Sequence, residues 1–106
     1  MTKYDNAEFV RRLRTLPFPV AHEVFLKPQT APYLIYTDNE FEIIAAQSEN
    51  VLMKTVISLE LYTKNTQTEE NETIVEEFLD GFTTYEKARS FITEEKVFMT
   101  RYTFML

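Results

Sequence analysis

The chain has 106 residues, a formal net charge of −6 and no cysteine. This length suits a single domain over residues 1–106, and the missing cysteines exclude disulfides and thiolate chemistry. Nucleic-acid binding needs a basic surface that neutralises phosphates, so we expect no sequence-specific nucleic-acid partner. The nearest feature to such a surface is Arg11, Arg12 and Arg14, for which a solvated helix face is the alternative to a DNA contact.

No apolar run approaches the ~20 residues that span a bilayer, and the N-terminal residues are largely polar. We therefore expect no membrane partner and synthesis in the cytoplasm.

The first predicted element is a helix over residues 6–16, with Asp5 as its N-cap and Pro17 at its end. Its apolar stripe is formed by Phe9, Leu13 and Leu16.

Two strands are predicted next, over residues 20–26 and 32–37, which are rich in β-branched and aromatic residues. Polar residues 38–40 are expected to end the second strand. The stretch 41–50 is apolar but short between polar flanks, and it is either an extended arm or a short strand.

The clearest strand is predicted over residues 51–64, where apolar and polar side chains alternate at period two. One face would be buried: Val51, Met53, Thr55, Ile57, Leu59 and Leu61. The other face is more polar, which is typical of an antiparallel sheet with helices on a single side.

A second helix is predicted over residues 69–80, and Gly81 follows it as a left-handed C-cap. A hairpin then completes the chain, with a strand over 82–92, a turn over 93–96 and a closing strand over 97–106.

The closing strand is apolar on both faces. One face holds Phe98, Tyr102, Phe104 and Leu106, and the other holds Val97, Met99, Arg101, Thr103 and Met105. Such a strand is either enclosed in the sheet or covered by a partner. Taken together, the elements predict an α+β fold in the order α-β-β-β-α-β-β, with a mostly antiparallel sheet of four to five strands and two helices on one face.

No catalytic constellation, cofactor site or metal site emerges from the sequence. His22 beside Glu23 is the only histidine, and it is either a general base or an ordinary strand-surface residue. The acidic clusters lack the spacing of a calcium loop, which favours a solvated helix face over a metal site. They comprise Glu69, Glu70, Glu72, Glu76, Glu77, Asp80, Glu94 and Glu95. A chain with one glycine cannot build a glycine-rich phosphate loop, so we expect a protein that is not an enzyme and takes no cofactor.

Tyrosines are frequent in the predicted strands: Tyr33, Tyr36, Tyr62, Tyr85 and Tyr102. Tyrosine is favoured at protein interfaces because its ring is apolar and its hydroxyl tolerates water. A position at the edge of the core is the alternative for each of them.

Five stretches follow one another along the chain: APYLIY (31–36), ELYTK (60–64), the acidic helix (72–80), YEK (85–87) and FITEEKVF (91–98). In this order and spacing they resemble the small tail-completion or tail-terminator proteins of long-tailed phages and Gram-positive prophages. The resemblance covers most of the chain from residue 20 onward, and the ordered series carries it because each stretch alone is a generic strand or turn.

This resemblance implies a structural protein that forms a ring, commonly a hexamer, on the head-proximal end of the tail tube. There it would end tail polymerisation and join the tail to the head, so its partners would be further copies of itself, the major tail tube protein and the head-tail connector protein. Its location would be the neck of the virion, after synthesis in the host cytoplasm.

A head-to-tail ring needs two different surfaces on each subunit. The candidate interface residues are Phe41, Ile43 and Ile44 on the arm, and Val97, Met99 and Met105 on the last strand. The alternative function is a small acidic inhibitor of the DNA-mimic type, which would capture a basic partner through the acidic helix, with Glu69, Glu72 and Glu76 as its carboxylates.

Overall fold

The computed structural model describes residues 6–44, 51–81 and 83–105, with side chains for all of these except 6, 40–44 and 51–54. Two helices and five strands follow one another in the predicted order. They are α1 (Asn6–Leu13), β1 (Val20–His22), β2 (Tyr33–Ile44), β3 (Val51–Thr63), α2 (Thr68–Asp80), β4 (Glu86–Ile92) and β5 (Val97–Met105). A short 3-10 turn, Asn65–Gln67, precedes α2.

The five strands form one sheet in the order β1-β2-β3-β5-β4. β1 runs parallel to β2, and the other three neighbouring pairs are antiparallel. The predicted α+β class, the element order and the mostly antiparallel sheet are therefore confirmed. β5 lies between β3 and β4, so the enclosed position that the sequence offered as one alternative for this strand is the observed one.

One face of the sheet carries the core. Ile57, Leu59 and Leu61 of β3 are fully buried, as their period-two spacing predicts. Burying each such side chain contributes about 1.5–3 kcal/mol relative to leaving it exposed. Both helices cover this face, and the remaining members of the cluster are Phe9, Leu13, Phe18, Leu34, Tyr36, Val75, Leu79, Tyr102 and Phe104.

α1 ends earlier than predicted, at Leu13 and not at Leu16. The amide of Arg14 still bonds the carbonyl four residues back, but the amides of Thr15 and Leu16 bond carbonyls only three residues back. The helix therefore tightens over its last turn before Pro17, which cannot continue it. Asp5, the predicted N-cap, lies outside the described residues.

β1 is shorter than predicted and β2 is longer. β1 ends at His22 because the chain turns sharply at Glu23, whose φ is 67°. β2 does not end at residues 38–40 but continues to Ile44, since β3 supplies hydrogen-bonding partners along its whole length. Pairing with a long neighbour thus overrides the poor strand propensity of Asp38 and Asn39. Of the predicted arm, residues 41–44 are strand and 45–50 lie outside the described residues.

α2 begins one residue before the prediction, at Thr68, and Gly81 follows its last residue. The φ of Gly81 is −72°, so the predicted left-handed cap is wrong: the helix ends in a right-handed conformation. β4 begins at Glu86, four residues after the predicted start, and the turn over 93–96 joins it to β5 as predicted.

Candidate assembly surfaces

The β2–β3 hairpin extends beyond the rest of the sheet as a two-stranded ribbon, formed by residues 40–44 and 51–55. Within the described strands, these residues pair only with each other, because β5 joins β3 from Val56 onward. The molecule measures 50 × 27 × 25 Å, and its radius of gyration is 15.4 Å. A compact domain of 100 residues has a radius of about 13 Å, so the chain is elongated.

The predicted interface residues fall into two groups along the sheet. Phe41, Ile43 and Ile44 belong to the ribbon, where they pair with Lys54, Leu52 and Val51; their side chains lie outside the described part. Met105 is 56% exposed and pairs with Val56 at the base of this ribbon. Val97 and Met99 are half-buried on β5, on the same sheet face as Met105. Val97 is eight residues from Met105, or about 27 Å along an extended strand, so the six residues do not form one patch.

The face of the sheet opposite the helices carries an aromatic stack. The rings of Tyr33 and Tyr62 stack with their centroids 4.8 Å apart, and Phe25 meets Tyr33 edge-on at 5.5 Å. Tyr62 donates a hydrogen bond to Glu60, which also accepts one from Arg101 at 2.8 Å. Burial, with the nearby Glu60 carboxylate, raises the pKa of Tyr62 to about 12. Tyr62 is therefore a neutral phenol at physiological pH.

The other tyrosines of the predicted set have different positions. Tyr36 and Tyr102 are buried in the core on the helix side. Tyr85 precedes β4 and meets Tyr102 edge-on at 5.4 Å. Only Tyr33 and Tyr62 therefore lie on the helix-free face, and both are half-buried there.

A buried carboxylate joins α2 to the β4–β5 hairpin. Glu72 is 3% exposed, so the predicted solvated position is wrong for this member of the acidic helix. It accepts hydrogen bonds from Thr100 at 2.6 Å and from Arg89 Nε at 2.9 Å. Lys87 donates to Glu72 at 3.3 Å and to Glu76 at 2.7 Å. Register explains the cluster, because Lys87 and Arg89 are paired with helix-side residues of β5.

The environment of Glu72 favours its charged form. Burial alone would raise its pKa, but hydrogen bonds from Arg89, Thr100 and Lys87 outweigh this effect and lower the pKa to about 2. The hydroxyl of Tyr102 donates to Glu76 at 2.7 Å, and burial together with this bond raises the pKa of Tyr102. The cluster is a closed set of donors and acceptors, which suits a structural role.

His22 pairs with a residue that its sequence neighbourhood does not reveal. Its Nε2 lies 2.7 Å from Asp38 Oδ1, and its ring stacks on Tyr36 with centroids 4.7 Å apart. These contacts join the short β1 to the middle of β2. A histidine within hydrogen-bond distance of a carboxylate resembles part of a catalytic triad. In the described part of the chain, however, no serine or threonine hydroxyl hydrogen-bonds His22, and the chain has no cysteine.

Four large apolar side chains are exposed in the described part of the chain: Val24, Leu26, Phe91 and Met105. Sequence reasoning singled out Met105 as an interface residue, but it placed Val24 and Leu26 inside a strand and so missed them. Both follow the turn at Glu23, where the Val24 amide bonds the His22 carbonyl at 2.7 Å across a positive φ. This γ-turn geometry is rare for a residue other than glycine, and the sequence carries no signal for it.

Among the described residues, no three His, Cys, Asp or Glu side chains group as a metal site. None of the described helices is long and apolar enough to span a membrane. In comparisons with known proteins, the chain matches no family model, no curated protein and no solved structure.

Proposed function

We propose that this chain is a structural protein of a long phage tail. It assembles as a ring, a hexamer in the resembled family, on the head-proximal end of the tail tube. There it ends tail polymerisation and joins the tail to the head. Its partners are copies of itself, the major tail tube protein and the head-tail connector protein, and its location is the neck of the virion.

The observation that carries this proposal is the ribbon. A two-stranded hairpin is only marginally stable in water by itself, so a hairpin that extends beyond its sheet calls for a further stabilising contact. The sequence of the ribbon, with Phe41, Ile43, Ile44, Val51 and Leu52, is rich in apolar residues. A neighbouring subunit or the tail tube would supply this contact, because assembly would bury these apolar residue types.

The helix-free sheet face adds a second surface to the ribbon. Half-buried apolar residues such as Ile35, Val56 and Met99 line this face, together with the Tyr33–Tyr62 stack and the Glu60–Arg101 pair. A mixture of apolar area with paired charges is typical of protein interfaces that form on assembly. A subunit with a ribbon at one end and an open sheet face has the two different surfaces that a ring requires.

Electron microscopy of phage particles made without this protein tests the proposal. We expect tails of uncontrolled length that are not attached to heads, and we expect a plasmid copy of the gene to restore complete virions. Particles with normal tails of uniform length, joined to heads in the absence of the protein, would contradict the proposed function.

The acidic inhibitor remains the second candidate, because four carboxylates on α2 are exposed: Glu69, Glu70, Glu77 and Asp80. Glu72 and Glu76 bond groups of their own chain, which leaves less of the helix for a basic partner. An inhibitor would form a one-to-one complex that is lost when Glu69, Glu70 and Glu77 become glutamine. The tail protein would tolerate that triple change, so complementation of tail assembly by the triple variant separates the two functions.

A further inference from the structure

Two exposed apolar side chains follow the edge strand β1, and a cavity with an apolar lining lies near the start of the other edge strand, β4. On the β1 edge, the loop after Glu23 holds Val24 and Leu26 out of the core, with 66% and 99% of their surfaces exposed. We call these two side chains the apolar knob. Phe25, between them, packs on Tyr33 and fixes the loop against the sheet. The turn at Glu23 and the packing of the Phe25 ring therefore hold the backbone of the knob in place.

Near the start of β4, a cavity of about 470 Å³ opens between the α2–β4 connection, the end of β5 and Val56 of β3. Its lining includes the apolar side chains of Val56, Tyr85, Phe104 and Met105, with Glu86 on its wall. Tyr85 is fixed by its edge-on contact with Tyr102, so one wall of the cavity belongs to the packed core. The cavity is large enough to admit both side chains of the knob.

A single subunit cannot place its own knob in its own cavity. The knob follows β1, whereas the cavity is lined by residues of β3, β5 and β4, which lie two to four strand spacings of about 4.8 Å, or about 10–19 Å, from β1. We infer that the knob of one copy enters the cavity of the next copy, as a heterologous contact between identical chains. This inference rests on the proposed ring and names the subunit contact that would close it.

Charge supports a second copy as the occupant. Lys27 follows Leu26 directly and is exposed, while Glu86 is exposed on the wall of the cavity. Insertion of the knob brings these opposite charges together at the rim, where they would set the register of the contact. A contact between different surfaces of the same chain repeats from copy to copy, and it closes into a ring when the rotation permits.

Sedimentation of two single variants and their mixture tests this contact. Leu26→Asp places a charge on the knob and Met105→Asp places one in the apolar lining of the cavity, and both positions are exposed enough for the fold to survive. We expect the self-association of each variant to be more than tenfold weaker than that of the wild type. The difference should hold in solution and on the ends of tubes assembled from the major tail protein of the same phage. The mixture should form dimers but nothing larger, because the intact knob of one variant meets the intact cavity of the other.

Phe91→Asp is the matched control, since it adds the same charge at an exposed apolar side chain outside both features. It should associate like the wild type. A charge exchange gives a second test: Lys27→Glu and Glu86→Lys should each weaken association, and the double variant should restore it.

The outcomes separate the contact from the function. A wild type that self-associates while Leu26→Asp and Met105→Asp associate equally well would overturn the contact and leave the ring standing. Variants that fail alone and fail to pair when mixed would overturn the head-to-tail arrangement. A wild type that associates neither in solution nor on tubes would overturn the proposed function itself.

Discussion

Glu72 connects three elements through one carboxylate. It lies on α2 and accepts hydrogen bonds from Lys87 and Arg89 on β4 and from Thr100 on β5. β4 is an edge strand of the described sheet and its side chains are almost all exposed, so apolar burial contributes little to holding it in place. The charged cluster around Glu72 therefore supplies much of the attachment of β4 to the helix layer.

Replacing Glu72 with glutamine should destabilise the protein by about 2–3 kcal/mol. The amide keeps the size of the side chain but removes the charge that Arg89 and Lys87 neutralise, and breaking one side of a buried ion pair is costly. The estimate is at the lower end of the usual range because Arg89 and Lys87 are each more than a third exposed. Urea unfolding followed by circular dichroism measures the change.

Glu77→Gln provides the control for this substitution. Glu77 is exposed on the same helix, so the same change of charge should alter stability by less than about 0.5 kcal/mol. Equal effects of the two substitutions would mean that the Glu72 cluster does not stabilise the fold.

The stability of the protein should depend on pH through the ionisation of Glu72. The pKa of Glu72 is lowered from 4.5 to about 2 in the folded protein, so its contribution is complete above pH 4.5. It is lost as the pH falls from 4.5 towards 2, because the unfolded state binds the proton first. The wild type should therefore lose stability over this interval more steeply than Glu72→Gln, as measured by urea midpoints at pH 6, 4.5, 3.5 and 2.5. Parallel curves would contradict the lowered pKa.

Elements with a strong local pattern could be predicted from the sequence, and elements that depend on a neighbour could not. The alternation along β3 and the apolar spacing of α1 and α2 are local, and all three were found at their predicted places to within a few residues. The continuation of β2 through Asp38 depends on β3, which lies across the sheet. The parallel pairing of β1 with β2 depends on a crossover loop that returns the chain, without a helix, to the end of the sheet where β1 began, and the sequence holds no marker for such a loop.

The same distinction applies to the candidate surfaces. Met105 was singled out because a strand that is apolar on both faces is unusual by itself, and in the structure its side chain is exposed, while its role at an interface stays a prediction. The knob could not be singled out, because its exposure follows from the backbone turn at Glu23 and not from the residue types of Val24 and Leu26. The burial of Glu72 was also hidden, since its donors lie fifteen or more residues further along the chain.

At the scale of the whole molecule, the ribbon is separable from the folded body. Within the described strands, residues 41–44 and 51–54 pair only with each other, so the five-stranded part of the sheet does not depend on that segment for its strand pairing. The ribbon lengthens the molecule, while the described core lies between the helices and the five-stranded part of the sheet. Removing the ribbon therefore tests what it does.

Replacing residues 41–54 with an Asn-Gly turn between Glu40 and Thr55, which are paired in the sheet, should leave a stable folded body. We expect the free energy of unfolding to change by less than about 1 kcal/mol, because every described core residue is kept. The radius of gyration, measured by small-angle X-ray scattering, should fall from 15.4 Å towards the value of about 13 Å of a compact domain.

The shortened protein should fail to restore head-joined tails in cells that lack the wild-type gene, because it has lost the element that we propose binds its partners. Complete virions formed with the shortened, folded protein would show that assembly relies on the sheet edges and not on the ribbon.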